Sequence, residues 1–229
     1  MAVTFIDDGI VSFSKKNYSA ATHSHYALEL AFAISGFLHI STGNQHYKNI
    51  QAAIISPNTP HSFDCLQGES YIYFIDPTTT TGEHLISLYN LDNRPIVVLN
   101  SEEISLYKTG RQFSLPGFDK KDDKKISEYT RMCVKLIHDH ITEEDWSIDQ
   151  LARKLFVSES RLAHIFKQDM NISIRQYILW KKIEIAATKS QTGHSLTESA
   201  HYAGFTDSSH FIKTFKKMFG VRPSFAMKS

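Results

Sequence analysis

Long apolar runs are absent from this 229-residue chain, and none approaches the roughly 18 residues that would suggest a membrane span. The start, Met1-Ala2-Val3-Thr4-Phe5-Ile6-Asp7-Asp8, lacks a basic segment leading into an apolar one, so it does not read as a secretory signal. Cysteine is scarce. Cys65 and Cys133 lie far apart in unlike contexts, and buried free thiols in a reducing compartment are expected rather than a disulfide. A cytoplasmic location follows as an expectation. A charge excess is missing too, the formal net charge being +1. That balance hides an asymmetry, because residues 1–123 carry 8 Lys and Arg against 13 Asp and Glu, whereas residues 124–229 carry 17 against 11. An acidic half joined to a basic half suggests that only the second approaches a polyanion.

What is present divides the chain by periodicity. Runs rich in β-branched and aromatic residues recur at 28–34, 37–41, 52–56 and 71–75. Turn chemistry separates them: Ser35-Gly36, Thr42-Gly43-Asn44 and Ser56-Pro57-Asn58-Thr59-Pro60. The first hundred residues therefore read as a small all-β barrel or sandwich. Residues 101–112 read as one helix. Residues 115–125, with Pro116-Gly117 and a dense charge run, read as a linker. Beyond it the apolar spacing turns helical, with Ile126, Tyr129, Thr130, Cys133, Val134, Ile137 and Ile141 on one face. About seven helices are expected there and no strand. The predicted domains are 1–100, a segment 101–125 of helix and linker, and 126–229.

Two interruptions in the helical half share a design. Ile148, Leu151, Ala152 and Leu155 face inward on a short helix, Phe156-Val157 turns, and Ser158 opens a second helix with Leu162, Ile165 and Phe166 inward. The pattern returns with Leu196, Ser199, Ala200 and Ala203, a Gly204-Phe205 turn, a cap at Thr206 or Asp207, and Phe211, Thr214, Phe215 and Met218 inward. A short helix, a tight turn and an amphipathic second helix make a helix-turn-helix, and the small Ala152 and Ala200 allow close crossing. The helix between the copies, over residues 173–189, would span about 25 Å at 1.5 Å per residue. Such a rod can hold two recognition helices near one DNA turn apart, roughly 34 Å.

Over residues 126–227 the chain resembles the AraC/XylS family of transcription regulators. The resemblance is carried by Ile183-Glu184-Ile185-Ala186, Ser195-Leu196-Thr197-Glu198-Ser199-Ala200, Ala203-Gly204-Phe205, Ser209-His210-Phe211 and the stretch from Phe215 through Gly220 to Pro223. Thr188-Lys189, Phe156 and Phe225 depart from the family pattern. The resemblance implies a C-terminal all-α double helix-turn-helix domain with Ser160, Ala163 and His164 reading bases and Arg161 and Lys167 meeting phosphates. On the second recognition helix it implies exposed Ser208, Ser209, Ile212 and Lys213, with Lys216 and Lys217 as backbone charge. His210 reads as structural, and Lys181 and Lys182 as solvated or bound with equal weight. Duplex DNA, RNA polymerase, a small-molecule effector and a second copy of the chain are the partners so implied.

In the β half, His23-Ser24-His25-Tyr26-Ala27-Leu28-Glu29 and Gly36 resemble the first cupin motif, HxHx3Ex6G, and the stretch from Ser56 to His61 resembles the second, shifted by one residue. The implied fold is a cupin-like barrel (jelly roll). In metal-binding cupins these positions supply three imidazoles and a carboxylate. The preferred reading makes His23, His25, Glu29 and His61 polar anchors for an effector, with a divalent transition metal as the alternative and no cofactor otherwise expected. No enzymatic activity is expected; the competing reading is a metal-dependent cupin enzyme with an appended helical domain.

Overall fold

The computed structural model describes residues 3–6, 9–109, 112–116, 126–143, 147–219 and 222–223. The linker reading over 117–125, parts of the breaks at 142–147 and 220–223, and Phe225 lie outside them. The chain separates into two compact units, residues 1–121 with 215–229, and residues 122–214.

The first unit holds an eight-stranded sheet. Its strands are β1 (Val3–Ile6), β2 (Ile10–His23), β3 (Leu28–Ser35), β4 (Leu38–Thr42), β5 (Gln45–Ile50), β6 (Ala52–Ile55), β7 (His61–Ile75) and β8 (Ile96–Val98). The order β1-β2-β7-β3-β6-β8 is antiparallel throughout, with β4 paired to both β5 and β7. The long β7 organises this arrangement. It pairs with β2 along most of its length, while β3 and β4 share its other edge. Leu28, Leu30, Phe32, Ile54, Tyr73 and Ile75 form the core of this barrel-like sheet. Burial of such side chains contributes roughly 1.5–3 kcal/mol each.

Two expectations fail here. Residues 76–100 are not purely strand and loop, because α1 (Thr80–Tyr89) intervenes, capped by the Thr79 hydroxyl accepting from Gly82 N–H. Leu85 packs it into the core. Nor is 101–112 one helix. Helix α2 stops after Ser101–Leu106, and β9 (Lys108–Thr109) pairs with β10 (Gln112–Phe113). Core packing outweighs helical propensity at this point. Tyr107 is buried against Phe32 with its hydroxyl 3.0 Å from that of Tyr89, and the hairpin stacks Phe113 on Phe32 at 4.3 Å.

Helices follow: α3 (Glu128–His140), α4 (Ile148–Lys154), α5 (Glu159–Met170), α6 (Ile174–Gln191), α7 (Leu196–Tyr202) and α8 (Ser208–Phe219). That is six among the described residues; the seventh segment suggested by the spacing follows Pro223 and lies outside them. Local chemistry sets their starts. Ser127, Ser147, Ser158, Ser173 and Ser195 each accept the backbone N–H three residues on, and the Asp207 carboxylate accepts from His210 N–H at 2.7 Å ahead of α8. Each such cap stabilises its helix by about 1 kcal/mol. Trp180, Phe166, Phe211 and Leu162 on these helices are fully buried. Cys65 and Cys133 are both buried and unpaired, and burial pushes the Cys133 thiol up to about 12. No helix among the described residues is long and apolar enough to cross a membrane.

Candidate nucleic-acid interface and histidine centre

The pairs α4–α5 and α7–α8 are joined by the same turn. Phe156 N–H donates to Arg153 O at 3.1 Å and Val157 N–H to Ala152 O at 3.0 Å. In the second copy Gly204 N–H donates to His201 O at 2.9 Å and Phe205 N–H to Ala200 O at 3.0 Å. Both hinge residues are left-handed, Phe156 at φ 55 and Gly204 at φ 72. Glycine occupies that region freely, whereas a side chain there costs on the order of 1 kcal/mol or more. Phe156 is also 96% exposed, so its ring returns no packing energy. Phe156→Gly is therefore expected to stabilise the protein by about 0.5–1 kcal/mol in urea denaturation, net of the added freedom of the unfolded chain. A loss of stability would show that the ring makes contacts beyond those of the folded chain.

Each second helix buries one face and exposes the other. On α5 Leu162 and Phe166 are buried, whereas Ser160, Arg161, Ala163, His164 and Lys167 are exposed. On α8 Phe211, Phe215 and Met218 are buried; Ser209, Lys213, Lys216 and Lys217 are exposed, and Ser208 and Ile212 are half-buried. The connecting helix α6 spans 18 residues, about 27 Å at 1.5 Å per residue. Its lysines are engaged by the protein: Lys181 pairs with Glu184 at 2.9 Å, and Lys182 Nζ donates to the Gly204 carbonyl at 2.5 Å. His210 packs its ring edge-on against Phe205 at 5.4 Å.

The family described as "Helix-turn-helix domain" matches residues 151–229. The chain carries an AraC-type DNA-binding domain. Curated proteins similar to it are named as regulators. An arabinose operon regulatory protein of Escherichia coli is 30% identical over 95 residues, covering 41% of this chain and 32% of that protein. A melibiose operon regulatory protein of the same species is 27% identical over 146 residues, covering 58% and 48%. An uncharacterized HTH-type regulator, YtdP of Bacillus subtilis, is 25% identical over 183 residues, covering 76% and 23%. The chain thus spans less than half the length of each of these relatives. Among solved structures, ToxT from Vibrio cholerae is similar with a TM-score of 0.58 over 94% of this chain and 96% of its own, at 14% identity. That likeness concerns the fold alone: a barrel-like β sheet followed by a helical domain.

Apart from the AraC-type domain, the sheet of the first unit gathers the sequence's histidine cluster. His23 ends β2, His25 lies in the link to β3, Glu29 sits on β3 and His61 begins β7. His23 and His61 are register partners, after a bulge between Ala20 and His23 that re-aims the strand end. Asn58 N–H donates to the His25 carbonyl at 2.7 Å and so ties the two loops together. The donor atoms of all four side chains lie within 4.8 Å of one another. His25 Nε2 is 3.0 Å and His61 Nε2 3.2 Å from Glu29 Oε2. Burial alone would push the Glu29 carboxyl up, but His25 and His61, when also protonated at Nε2, donate to it and hold the group well below the usual carboxylate range. Burial likewise opposes the charged form of His61, yet the bond and charge of Glu29 leave it raised. His23 is lowered to about 4, mainly by burial.

Behind each ring stands a backbone carbonyl. His23 Nδ1 faces Ala21 O at 2.9 Å, His25 Nδ1 faces Ala27 O at 2.8 Å, and His61 Nδ1 faces Thr59 O at 2.9 Å. These carbonyls escaped the sequence reading because peptide groups carry no residue signature; only the folded path of the chain places them.

Proposed function

We propose that the chain is a sequence-specific, effector-responsive transcription regulator whose α5 and α8 read two adjacent major-groove segments of DNA. The observation that carries this reading is the duplicated turn with two outward polar faces, Ser160, Ala163, His164 and Lys167 on α5 and Ser209, Lys213, Lys216 and Lys217 on α8. Side chains of this kind suit the groove. Serine and histidine hydrogen-bond base edges, the alanine methyl meets a thymine methyl, and the lysines meet phosphates. The relatives' names, among them operon regulatory proteins, support a regulator rather than an enzyme. On this reading RNA polymerase and a second copy of the chain are its protein partners. The barrel-like sheet is taken as a cupin-like jelly roll that holds the effector site.

Selection of bound duplexes from a random library with the full chain tests the proposal. An enriched motif with two half-sites about one helical turn apart is expected. On that motif His164→Ala should weaken binding by 1–3 kcal/mol, roughly 5- to 150-fold, while leaving binding to unrelated duplex unchanged. Absence of any enriched sequence would defeat the reading.

A further inference from the structure

We propose that His23, His25, His61 and Glu29 form a binding site for one divalent transition-metal ion. The inference concerns the β domain and holds whether or not the helices read DNA. It begins with a proton count. A carbonyl oxygen only accepts, so the three Nδ1 contacts with Ala21, Ala27 and Thr59 place the ring proton on Nδ1 in each imidazole. In the neutral rings that leaves all three Nε2 atoms as bare lone pairs. They converge, with the Glu29 carboxylate, on a centre whose donor atoms lie within 4.8 Å of one another.

Four electron-pair donors facing one point repel unless a cation lies between them. Extra protons on His25 and His61 would meet the need only in part. They would satisfy Glu29 Oε2, at 3.0 and 3.2 Å, but leave Glu29 Oε1 and His23 Nε2 as buried atoms without a hydrogen-bond partner. A buried, unsatisfied polar group costs about 1–3 kcal/mol, more when charged. One metal ion engages all four side chains together. The three rings are close neighbours, with centroid separations of 4.4 Å (His23–His61), 5.2 Å (His25–His61) and 5.4 Å (His23–His25).

The donor set selects the class of ion. Three imidazole nitrogens and one carboxylate suit Mn²⁺, Fe²⁺, Co²⁺, Ni²⁺ or Zn²⁺, whereas Ca²⁺ and Mg²⁺ favour all-oxygen shells and Cu⁺ favours sulfur. A carbonyl behind each imidazole is the arrangement that fixes tautomer and ring angle in metal sites generally. His25, Glu29 and His61 are at most 4% exposed, whereas His23 is only partly buried and marks the side from which an ion enters.

The full-length protein, stripped with EDTA and dialysed, is titrated with Ni²⁺ and with Co²⁺. One ion per chain is expected, with Co²⁺ showing d–d absorption free of thiolate charge transfer. Saturation should raise the thermal midpoint by on the order of 5 °C at 100-fold excess over Kd. Glu29→Gln and His61→Ala should each weaken binding by ~100-fold or more, since loss of even a hydrogen bond behind a ligand costs roughly 10- to 100-fold. Should these buried variants fail to fold, His23→Ala at the open edge must show the same loss, and His46→Ala at the exposed surface must not. Three results overturn the proposal: no bound metal in the unsubstituted protein, binding unchanged in His23→Ala, or a thiolate band placing the ion at Cys65 or Cys133. DNA binding measured in EDTA is a separate readout, so failure here leaves the regulator reading to stand or fall by itself.

Discussion

Alanine in place of Lys213, Lys216 and Lys217 together is expected to weaken binding to duplex DNA by about 10²- to 10³-fold at ~0.1 M salt. All three lysines are exposed on α8, and the two in its last turn favour the negative end of the helix dipole. Each lysine that neutralises a phosphate releases about 0.9 of a counterion, so losing three contacts should flatten the slope of log K against log salt by about 2.7. At ~0.1 M salt every unit of slope is worth roughly tenfold, which sets the size of the loss. Folding should hardly notice, because exposed substitutions away from caps and cores usually fall within about 0.5 kcal/mol. Fluorescence anisotropy at several salt concentrations reads both quantities. A slope that stays the same would show that this face of α8 does not meet the phosphate backbone.

Gly82→Ala is expected to destabilise the β domain by about 2–3 kcal/mol, against the sign that helix propensity implies. Gly82 lies inside α1, where alanine is ordinarily better than glycine by roughly 1 kcal/mol. Here a Cβ would stand 2.3 Å from the Asp76 carbonyl oxygen and 2.6 Å from Pro77 Cα. Those are backbone atoms, and the turn that carries them has little freedom to retreat. The Asp76 carbonyl accepts from the Thr79 hydroxyl at 2.7 Å, and the Asp76 carboxylate accepts from Thr78 N–H at 2.9 Å and from the Tyr26 hydroxyl. Overpacking against fixed backbone typically costs 1–3 kcal/mol before any propensity gain is subtracted, and a clash this close lies at the upper end. Calorimetry of the full chain reads the result. An unchanged or higher midpoint would mean that α1 is free to slide away from the 76–79 turn.

The helical half and the β half differ in how openly they are written. A helix start depends on residues three apart, so Ser147 with Gln150, Ser173 with Gln176 and Ser195 with Glu198 announce their capping boxes within a few letters of sequence. The inward faces of α5 and α8 follow from a 3.6-residue period in the same local way. The hinge of the first helix-turn-helix was also visible, as a phenylalanine where the second copy has glycine, although its near-complete exposure was not. Residues 101–112 misled because their local pattern is helical while Tyr107 and Phe113 are claimed by the distant Phe32.

The histidine centre shows the same division. The resemblance to the two cupin motifs singled out His23, His25, Glu29 and His61, and the helix-turn-helix pairs were legible from capping and periodicity. Only the tertiary structure set His23 opposite His61 across β2 and β7, turned the strand end with a bulge, and stood a carbonyl behind each ring. The reason is physical. Caps and periods are settled within one or two turns of chain, whereas strand register and the direction of a buried lone pair depend on segments that meet only when the sheet closes.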